Sequence, residues 1–455
     1  MSCKITNFTT TIQNLCYQKY KDYSFSHFFK LKLGVCAEYF VNCTLINKTT
    51  LYFLIMKTYL VTGGAGFIGA NFVKYLLQKY GDDVRIAILD ALTYAGNLKT
   101  IKAETELPNV AFFKGDIGDR DLVDKIFEVF DVDYVVNFAA ESHVDRSITN
   151  PKLFLETNIL GTQNMLECAR RAWCTGKGKD GKFTYKDGKK YLQISTDEVY
   201  GSLKKDFYEP HPLHITDEIK KVIEGRTDLK TYGNTFFTET TQLSPRSPYS
   251  ASKTSADLIT LAYSHTYDFP VNITRCSNIY GPYHFPEKLI PLIINNILEG
   301  KKLPVYGKGE NVRDWLYVTD HANAIDMVLR NGEVGEIYNI GGFNEESNIN
   351  IVRLVISTIA DIMHKEPEYQ KLLKCSVDDI NDNLIEFVAD RPGHDMRYAI
   401  DPSKIASKLG WYPETPFKVG IKKTIRWYLD NQDWVKDVLS GDYQKYYDEM
   451  YGHRN

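Results

Sequence analysis

The sequence has almost no excess of positive or negative charge, and it has no long apolar runs. Its 55 Lys and Arg residues nearly balance 58 Asp and Glu residues, for a formal net charge of −3. That balance gives no overall attraction to nucleic acid or to an anionic membrane. Apolar stretches such as residues 51–56 fall far short of the roughly 20 residues that cross a bilayer. Residues 1–21 are polar and lack the apolar core of a secretory signal, so we expect a cytoplasmic protein.

Paired cysteine motifs are also missing. The chain has 8 cysteines, and no two of them form a C-x-x-C pair. Their scattered spacing argues against a disulfide framework and against a zinc site, so we expect reduced thiols and no bound metal. A composition of 43% hydrophobic and 25% charged residues is typical of a globular protein with room for more than one core.

From Lys57 onward, strand-like runs alternate with helical ones. Strands are predicted at residues 58–62, 85–90, 111–116, 134–140 and 191–196, and helices near residues 67–79 and 122–130. This βαβ alternation predicts an α/β fold with a doubly wound parallel Rossmann sheet. After about Asn278 the pattern becomes mixed, which predicts a smaller mixed α/β C-terminal lobe for substrate binding. The expected division is residues 56–277 and residues 278–455, and the chain can cross between the two.

Three segments stand outside this alternation. Residues 1–55 show neither a period nor a capping pattern, and we interpret them as an N-terminal extension to which the sequence assigns no role. Residues 176–190 are rich in Gly and Lys and predict an exposed loop or hairpin. Residues 204–237 form a longer polar insertion, with a helix predicted near residues 217–225.

A glycine-rich loop, VTGGAGFIG, joins the first predicted strand to the first predicted helix. Missing β-carbons let the backbone approach a pyrophosphate, which the free amides and the helix dipole then stabilise. Asp90 ends the next strand about 20 positions later, where a carboxylate binds a ribose diol and repels a 2′-phosphate. The loop therefore predicts NAD rather than NADP. The predicted cofactor contacts are Gly63, Gly66, Phe67, Ile68, Gly69 and Asp90, with Asp116 and Ile117 flanking the adenine.

Tyr249 and Lys253 stand four residues apart in SPYSASK, and on a helix they share one face. An ammonium close to a phenol favours the phenolate, which can take a hydroxyl proton as hydride leaves the same carbon. A Y-x-x-x-K spacing is common by chance. It gains weight here because it follows a dinucleotide-binding loop, and both residues are predicted to contact the cofactor as well.

The segment YLQISTDEVYG ends a predicted strand in Thr196, Asp197 and Glu198. Ligands of open α/β sheets lie at this carboxyl edge. Two carboxyl groups and a hydroxyl can divide three tasks, which are protonating a leaving hydroxide, removing a carbon-bound proton and holding a developing ketone. The triplet therefore predicts an elimination of water.

Seven segments together carry a family resemblance: the glycine loop, AAESHVDRS, STDEVYG, SPYSASK, SNIYGPYHFPEKLIP, GKGENVRDWLYV and DRPGHDMRYAID. Over about residues 56–427 the chain resembles the dTDP-glucose 4,6-dehydratases of the extended short-chain dehydrogenase/reductase superfamily. The TDE triplet and SNIYGPYHFPEKLIP are its most specific parts, since the other motifs occur throughout the superfamily. The two polar insertions and the N-terminal extension depart from the family pattern.

The resemblance implies a role for each catalytic residue. Tyr249 would take the proton of the C4 hydroxyl, Lys253 would hold Tyr249 and the nicotinamide ribose, and Thr196 would bind the C4 oxygen. NAD would accept the C4 hydride and later return it to C6. Glu198 would remove the C5 proton, and Asp197 would protonate the departing C6 hydroxyl. The product would be a 4-keto-6-deoxy sugar.

The resemblance also implies a set of substrate contacts. Arg313 and Arg391 are the expected phosphate ligands, and Tyr306 and Asn348 the expected nucleoside contacts. The remaining expected contacts to the sugar or diphosphate are His143, Thr196, Asn278, Lys288 and His394. A homodimer is expected through helices near residues 158–169 and 249–263.

Two alternatives stay open on the sequence alone. One is a related enzyme, either a dehydratase of CDP-, UDP- or GDP-linked sugars or an epimerase that stops after C4 oxidation. The other is a dinucleotide sensor without catalysis. A sensor would need the glycine loop but neither the acid pair nor Tyr249 and Lys253, so their presence argues against it.

Overall fold

The computed structural model describes residues 56–213, 229–390 and 394–439. The extension of residues 1–55 and the helix predicted near residues 217–225 lie outside the described residues. Among the described helices, none has both the length and the apolar character needed to span a membrane.

The strands of the described chain are β1 Lys57–Thr62, β2 Val84–Asp90, β3 Val110–Lys114, β4 Tyr134–Asn137, β5 Cys174–Lys177, β6 Phe183–Tyr185, β7 Lys190–Thr196, β8 His211–Pro212, β9 Lys230–Thr231, β10 Val271–Cys276, β11 Asn278–Tyr280, β12 Leu303–Tyr306, β13 Val312–Tyr317, β14 Ile337–Ile340, β15 Glu345–Ser347 and β16 Ile385–Val388. The α-helices are α1 Phe67–Tyr80, α2 Lys102–Thr105, α3 Arg120–Val129, α4 Val144–Thr149, α5 Pro151–Phe154, α6 Thr162–Trp173, α7 Pro248–Tyr267, α8 Leu289–Leu298, α9 Val318–Asn331, α10 Asn348–Lys365, α11 Ser403–Leu409, α12 Phe417–Asp430 and α13 Gln432–Leu439. A π-helical stretch, Leu155–Gly161, joins α5 to α6.

A parallel 7-stranded sheet forms the centre of the molecule, in the order β3-β2-β1-β4-β7-β10-β14. The strands are apolar throughout because both faces are covered. In β1, Leu60 packs into the cluster beneath α3 and α6, whereas Val61 packs into the cluster beneath α1 and α9. The predicted doubly wound parallel sheet is thus confirmed, and its carboxyl edge is where the loops converge.

The central sheet includes a strand from beyond the predicted boundary at Asn278. β14 and α9 follow the point at Asn278 where the second lobe is predicted to begin, yet β14 pairs with β10 and completes the central sheet. The smaller lobe contains the sheets β11-β13-β15 and β12-β16. Its core is formed mainly by α8, α10 and α12, with Ile293, Val355 and Ile425 among the fully buried side chains.

Two strands end earlier than predicted. β4 stops at Asn137 and β3 at Lys114, whereas strand character was predicted as far as residues 140 and 116. The residues that follow, among them Gly115, Asp116, Phe138 and Ala139, line a cavity at the carboxyl edge of the sheet. The predicted loop or hairpin at residues 176–190 is a hairpin, with β5 antiparallel to β6.

Candidate active site

The glycine loop leaves the amino end of α1 open to an anion. Gly63 has φ +65°, and a Cβ there would lie 2.8 Å from the amide nitrogen of Ala139. A Cβ on Gly69 would overlap the carbonyl of Gly63, so the loop and α1 approach each other closely. Gly66 caps α1 without any side-chain hydrogen bond, which leaves the first helical amides available. These features fit the pyrophosphate of a dinucleotide.

Asp90 is held rigidly at the end of β2. Its Oδ2 accepts the amide of Ala65 at 2.8 Å, and its Oδ1 accepts the amide of Leu92 at 2.8 Å. Burial raises the pKa of this carboxyl, and the two amides oppose that rise. Gly96 packs against Oδ1 so closely that a Cβ would lie 2.8 Å away. The carboxylate is therefore positioned at the cavity wall, where a ribose diol would fit.

Asp116 and Ile117 lie farther along the same edge. Asp116 Oδ1 accepts the amide of Gly118 at 2.6 Å, and the carbonyl of Ile117 accepts Asn164 Nδ2 at 2.7 Å. Both residues line the cavity. That they flank the adenine of the cofactor stays a prediction.

Tyr249 and Lys253 lie on the first turns of α7, which begins with a capping box between Ser247 and Ser250 and with Pro248 at its start. Lys253 is fully buried, and its Nζ donates to the carbonyl of Ile194 in β7 at 2.6 Å. Burial lowers the pKa of Lys253, and the nearby carboxylate of Asp257 opposes that shift.

The pKa of Tyr249 shifts in the direction opposite to the one expected from Lys253. Burial raises it well above the ordinary value, and the carboxylates of Glu198 and Asp197 add to the rise. The pairing of phenol and ammonium is therefore not the dominant effect in this structure. Burial opposes loss of the phenol proton most strongly, and the charge of Glu198 is the next largest influence.

The acid pair sits on a 3₁₀ turn, Asp197–Tyr200, directly after β7. Thr196 caps this turn, and its hydroxyl accepts the amide of Glu198 at 3.3 Å and lies 3.3 Å from Asp197 Oδ1. Burial raises the pKa of Asp197 well above its usual range, and the charges of Glu198 and Asp314 raise it further. Burial therefore favours the protonated form of Asp197, which is the form that a proton donor needs.

One cavity of about 410 Å³ joins the glycine loop to the acid pair. It brings together the predicted residues Gly63, Gly66, Phe67, Ile68, Gly69, Asp90, Asp116, Ile117, Thr196, Asp197, Glu198, Tyr249, Lys253, Asn278 and Lys288. Residues far apart in sequence therefore share one site, at the carboxyl edge of the sheet.

The other predicted substrate contacts that fall within the described residues do not line this cavity. Arg313 is buried in β13, where its guanidinium donates to the carbonyls of Val312 at 2.8 Å and Asp395 at 3.0 Å and stacks on Tyr398 at 4.1 Å. Asn348 begins α10, and its amide donates to the carbonyl of Asn311 at 2.9 Å. Arg391 lies outside the described residues.

Three more of these contacts are Tyr306, His394 and His143, and the first of them joins the C-terminal part of the chain to α4. The hydroxyl of Tyr306 donates to Asp145 Oδ2 at 3.4 Å, and its ring packs edge-on against His394 at 6.0 Å. His394 in turn contacts Asp390 Oδ1 at 2.6 Å. His143 caps α4 by accepting the amide of Arg146 at 3.4 Å. These residues border the site between the lobes and do not line the cavity itself.

Several residues of the cavity wall were not predicted from the sequence. Glu287 is buried there and accepts a hydrogen bond from the Tyr94 hydroxyl at 3.1 Å. His284 also lines the wall, and its ring stacks on Phe67 at 4.2 Å. Both lie in the segment SNIYGPYHFPEKLIP, which carries the family resemblance, but the sequence offers no reason to assign a role to either residue. Within the described residues, no cluster of three or more His, Cys, Asp or Glu side chains could hold a metal.

The chain belongs to the NAD dependent epimerase/dehydratase family, which it matches over residues 59–341. The fold class and the NAD dependence predicted from the sequence are thereby confirmed. The glycine loop, the uncapped start of α1 and the positioned Asp90 all fit this cofactor.

Within the family the chain is similar to the dTDP-glucose 4,6-dehydratases, as the motifs predict. It is 47% identical over 392 residues to the one from Salmonella typhimurium, covering 86% of this chain and 98% of that protein. The solved enzyme of Bacillus anthracis, in complex with NAD, is 43% identical with a TM-score of 0.66, covering 84% of this chain and 99% of that one. The enzyme of Streptomyces venezuelae, solved with NAD and TYD bound, is 39% identical with a TM-score of 0.68 and covers 84% and 99%.

Proposed function

We propose that the protein is a hydro-lyase that converts dTDP-glucose to dTDP-4-keto-6-deoxyglucose and water. One observation carries this proposal: the acid pair Asp197 and Glu198 opens into the same cavity as Tyr249, Lys253 and the glycine loop. Oxidation at C4 needs only the tyrosine, the lysine and the cofactor. The buried acid beside them provides what loss of water requires in addition.

Bound NAD would supply the hydride acceptor for C4 and the hydride donor for C6. The amides after Gly66 would hold its pyrophosphate, and Asp90 would bind its adenosine ribose. Lys253 would bind the nicotinamide ribose and keep Tyr249 in place. Tyr249 takes the proton of the C4 hydroxyl, while the Thr196 hydroxyl donates to the C4 oxygen as it becomes a carbonyl.

The acid pair then carries out the elimination of water. The C4 ketone acidifies the C5 proton, which Glu198 removes. Asp197, whose raised pKa favours the protonated form, delivers its proton to the C6 hydroxyl and so makes water the leaving group. Glu198 afterwards returns a proton to C5. Neighbouring positions on one turn thus hold the acid and the base of a single step.

The diphosphate and the nucleoside are assigned to the second lobe. Lys288 lies in the cavity wall, and its Nζ contacts the carbonyl of Ser142 at 3.2 Å, a bond that it can exchange for a phosphate oxygen. Arg313 and Arg391 are proposed as further phosphate ligands, and Tyr306, Asn348, Asn278, His143 and His394 as contacts to the nucleoside and sugar. Arg313 must give up a backbone carbonyl to reach an anion.

The decisive experiment compares nucleotide sugars. Purified protein is incubated separately with dTDP-, UDP- and CDP-glucose, and the products are identified by mass and NMR spectroscopy. A 4-keto-6-deoxy sugar formed fastest from dTDP-glucose supports the proposal. Release of a C4 epimer, with no loss of water from any of the three, would favour an epimerase and contradict it.

We also propose a cytoplasmic homodimer. Leu160 is 61% exposed on the π-helical stretch and Leu258 is 53% exposed on α7, so two neighbouring segments present large apolar side chains to solvent. These segments are the ones through which a dimer is predicted. Light scattering at micromolar concentration should give twice the mass of the chain, and Leu160→Glu should lower it to that of a monomer.

A further inference from the structure

A buried ion pair lies directly beneath the catalytic lysine. Asp257 follows Lys253 by one turn of α7 and is fully buried, and its Oδ2 accepts Arg275 Nε at 2.8 Å. Arg275 is itself almost completely buried in β10. Removing two such charges from water is costly, so the pair is weak evidence of added stability, and the geometry that it enforces is the more informative property.

The same guanidinium also contacts the 3₁₀ turn Asp197–Tyr200, which carries the acid pair. Arg275 Nη1 donates to the hydroxyl of Tyr200 at 3.0 Å, and Tyr200 is the last residue of the turn that carries the acid pair. The Tyr200 hydroxyl donates in turn to Asn339 Oδ1 at 2.8 Å. Its ring stacks on Phe237 at 5.0 Å. Arg275 therefore binds α7, the helix that carries Tyr249 and Lys253, and it also binds the turn that carries the acid pair.

The strand register explains why this bridge is rigid. Arg275 in β10 lies beside Ser195 in β7 and beside Asn339 in β14. These three positions form a row across adjacent strands. Each position is one residue before the carboxyl end of its strand, where the site begins. A displacement of the turn at Tyr200 would have to move the central sheet as well.

We propose that Asp257, Arg275 and Tyr200 form a positioning unit that fixes the acid pair Asp197 and Glu198 relative to Tyr249 and Lys253. This inference rests on the proposed dehydration, because it assumes that oxidation and elimination act on one bound sugar. None of the three residues of the unit lines the cavity. The unit sets the distance between the acid pair and the pair Tyr249 and Lys253. Oxidation at C4 and loss of the C6 hydroxyl can then occur without movement of the substrate.

Tyr200→Phe tests the unit with the smallest change, because it removes one hydroxyl and keeps the ring that stacks on Phe237. Tyr80→Phe is the matched control, since Tyr80 donates to buried Asp326 at the far end of α1. In rapid mixing with dTDP-glucose, Tyr200→Phe should reduce bound NAD at the parental rate. It should then lose water about tenfold more slowly, as expected for a lost hydrogen bond to a charged group. Tyr80→Phe should match the parent in both steps.

Arg275→Lys provides a second test, because it keeps the charge but cannot reach Asp257 and Tyr200 at once. It should show the same selective delay of elimination, with reduced cofactor accumulating. Equal slowing of oxidation and elimination in both variants would indicate general destabilisation and overturn the proposal. So would parental elimination in Tyr200→Phe. If the parent itself forms no 4-keto-6-deoxy sugar, the proposed function fails instead.

Discussion

Asp197 and Glu198 are adjacent on one turn but lie in different surroundings. Asp197 is 2% exposed, and its pKa is raised well above the ordinary value, whereas Glu198 is only half-buried, with its amide bound to the Thr196 hydroxyl at 3.3 Å. One carboxyl is buried and favours its protonated form, and its neighbour is in contact with solvent. An acid and a base of the same step require this arrangement. The charge of Glu198 also contributes to keeping the proton on Asp197.

Replacing either acid by its amide should separate oxidation from elimination. Asp197→Asn and Glu198→Gln keep the shape of the side chains but remove a proton-transfer role that is worth about 10² to 10⁴ in rate. Rapid mixing with dTDP-glucose should show reduced cofactor rising and persisting, with little 6-deoxy product. Glu198→Gln should also fail to exchange the C5 hydrogen with deuterated solvent. Product formation by both variants at the parental rate would refute the assignment.

Tyr249→Phe should stop the reaction before this point. The ring and its edge-on contact with Phe154, at 6.3 Å between centroids, remain, but the group that accepts the C4 proton is gone. No reduced cofactor should accumulate after dTDP-glucose is added, while tightly bound NAD should still be released on denaturation. Rapid cofactor reduction by this variant would assign the base to another residue.

The parallel sheet and the cofactor loop could be predicted because their signals are local. The glycines, the strand before them and Asp90 lie within one βαβ unit, and periodicity is sufficient to place them. The same holds for Tyr249 and Lys253, which share one helix face. The acid pair was placed by its position at the end of β7, a position that the strand pattern also predicts.

Contacts between distant segments could not be predicted in this way. Glu287 accepts a hydrogen bond from Tyr94, and Arg275 joins a helix to a turn, and neither contact can be recognised from a spacing in the sequence. The pKa of Tyr249 was misjudged for the same reason. Lys253 is visible as a neighbour four residues away, but the burial and the carboxylates that dominate the shift come from other elements.

Gly69→Ala should abolish retention of the cofactor. A β-carbon at Gly69 would overlap the backbone of Gly63, which cannot move away as a flexible side chain could. Denatured variant protein should release far less NAD than the parent does. Gly410→Ala is the control, because this glycine at the end of α11 has φ +72° and a β-carbon added there would meet no atom within 4 Å. It should cost stability, typically about 1 kcal/mol, without loss of NAD. Equal NAD content in Gly69→Ala and the parent would contradict this account of the loop.

The pH dependence of cofactor reduction should reveal which charge controls Tyr249. The phenol must lose its proton to act as a base, so the oxidation rate should increase with pH through its pKa. After burial itself, the charge of Glu198 contributes most to raising this pKa. Glu198→Gln removes that negative charge, lowers the pKa and should move the rising limb to lower pH.

Asp197→Asn is the matched comparison, because Asp197 contributes less to the raised pKa of Tyr249 than Glu198 does, and burial favours its protonated form. Its rising limb should stay close to that of the parent. Glu104→Gln, which changes only the ion pair with Lys74 on α1, should also leave the limb in place. The profiles are measured by stopped-flow absorbance of the reduced cofactor, so that elimination does not enter the result. An unchanged limb in Glu198→Gln, or an equal shift in Asp197→Asn, would mean that Glu198 does not set the pKa of Tyr249.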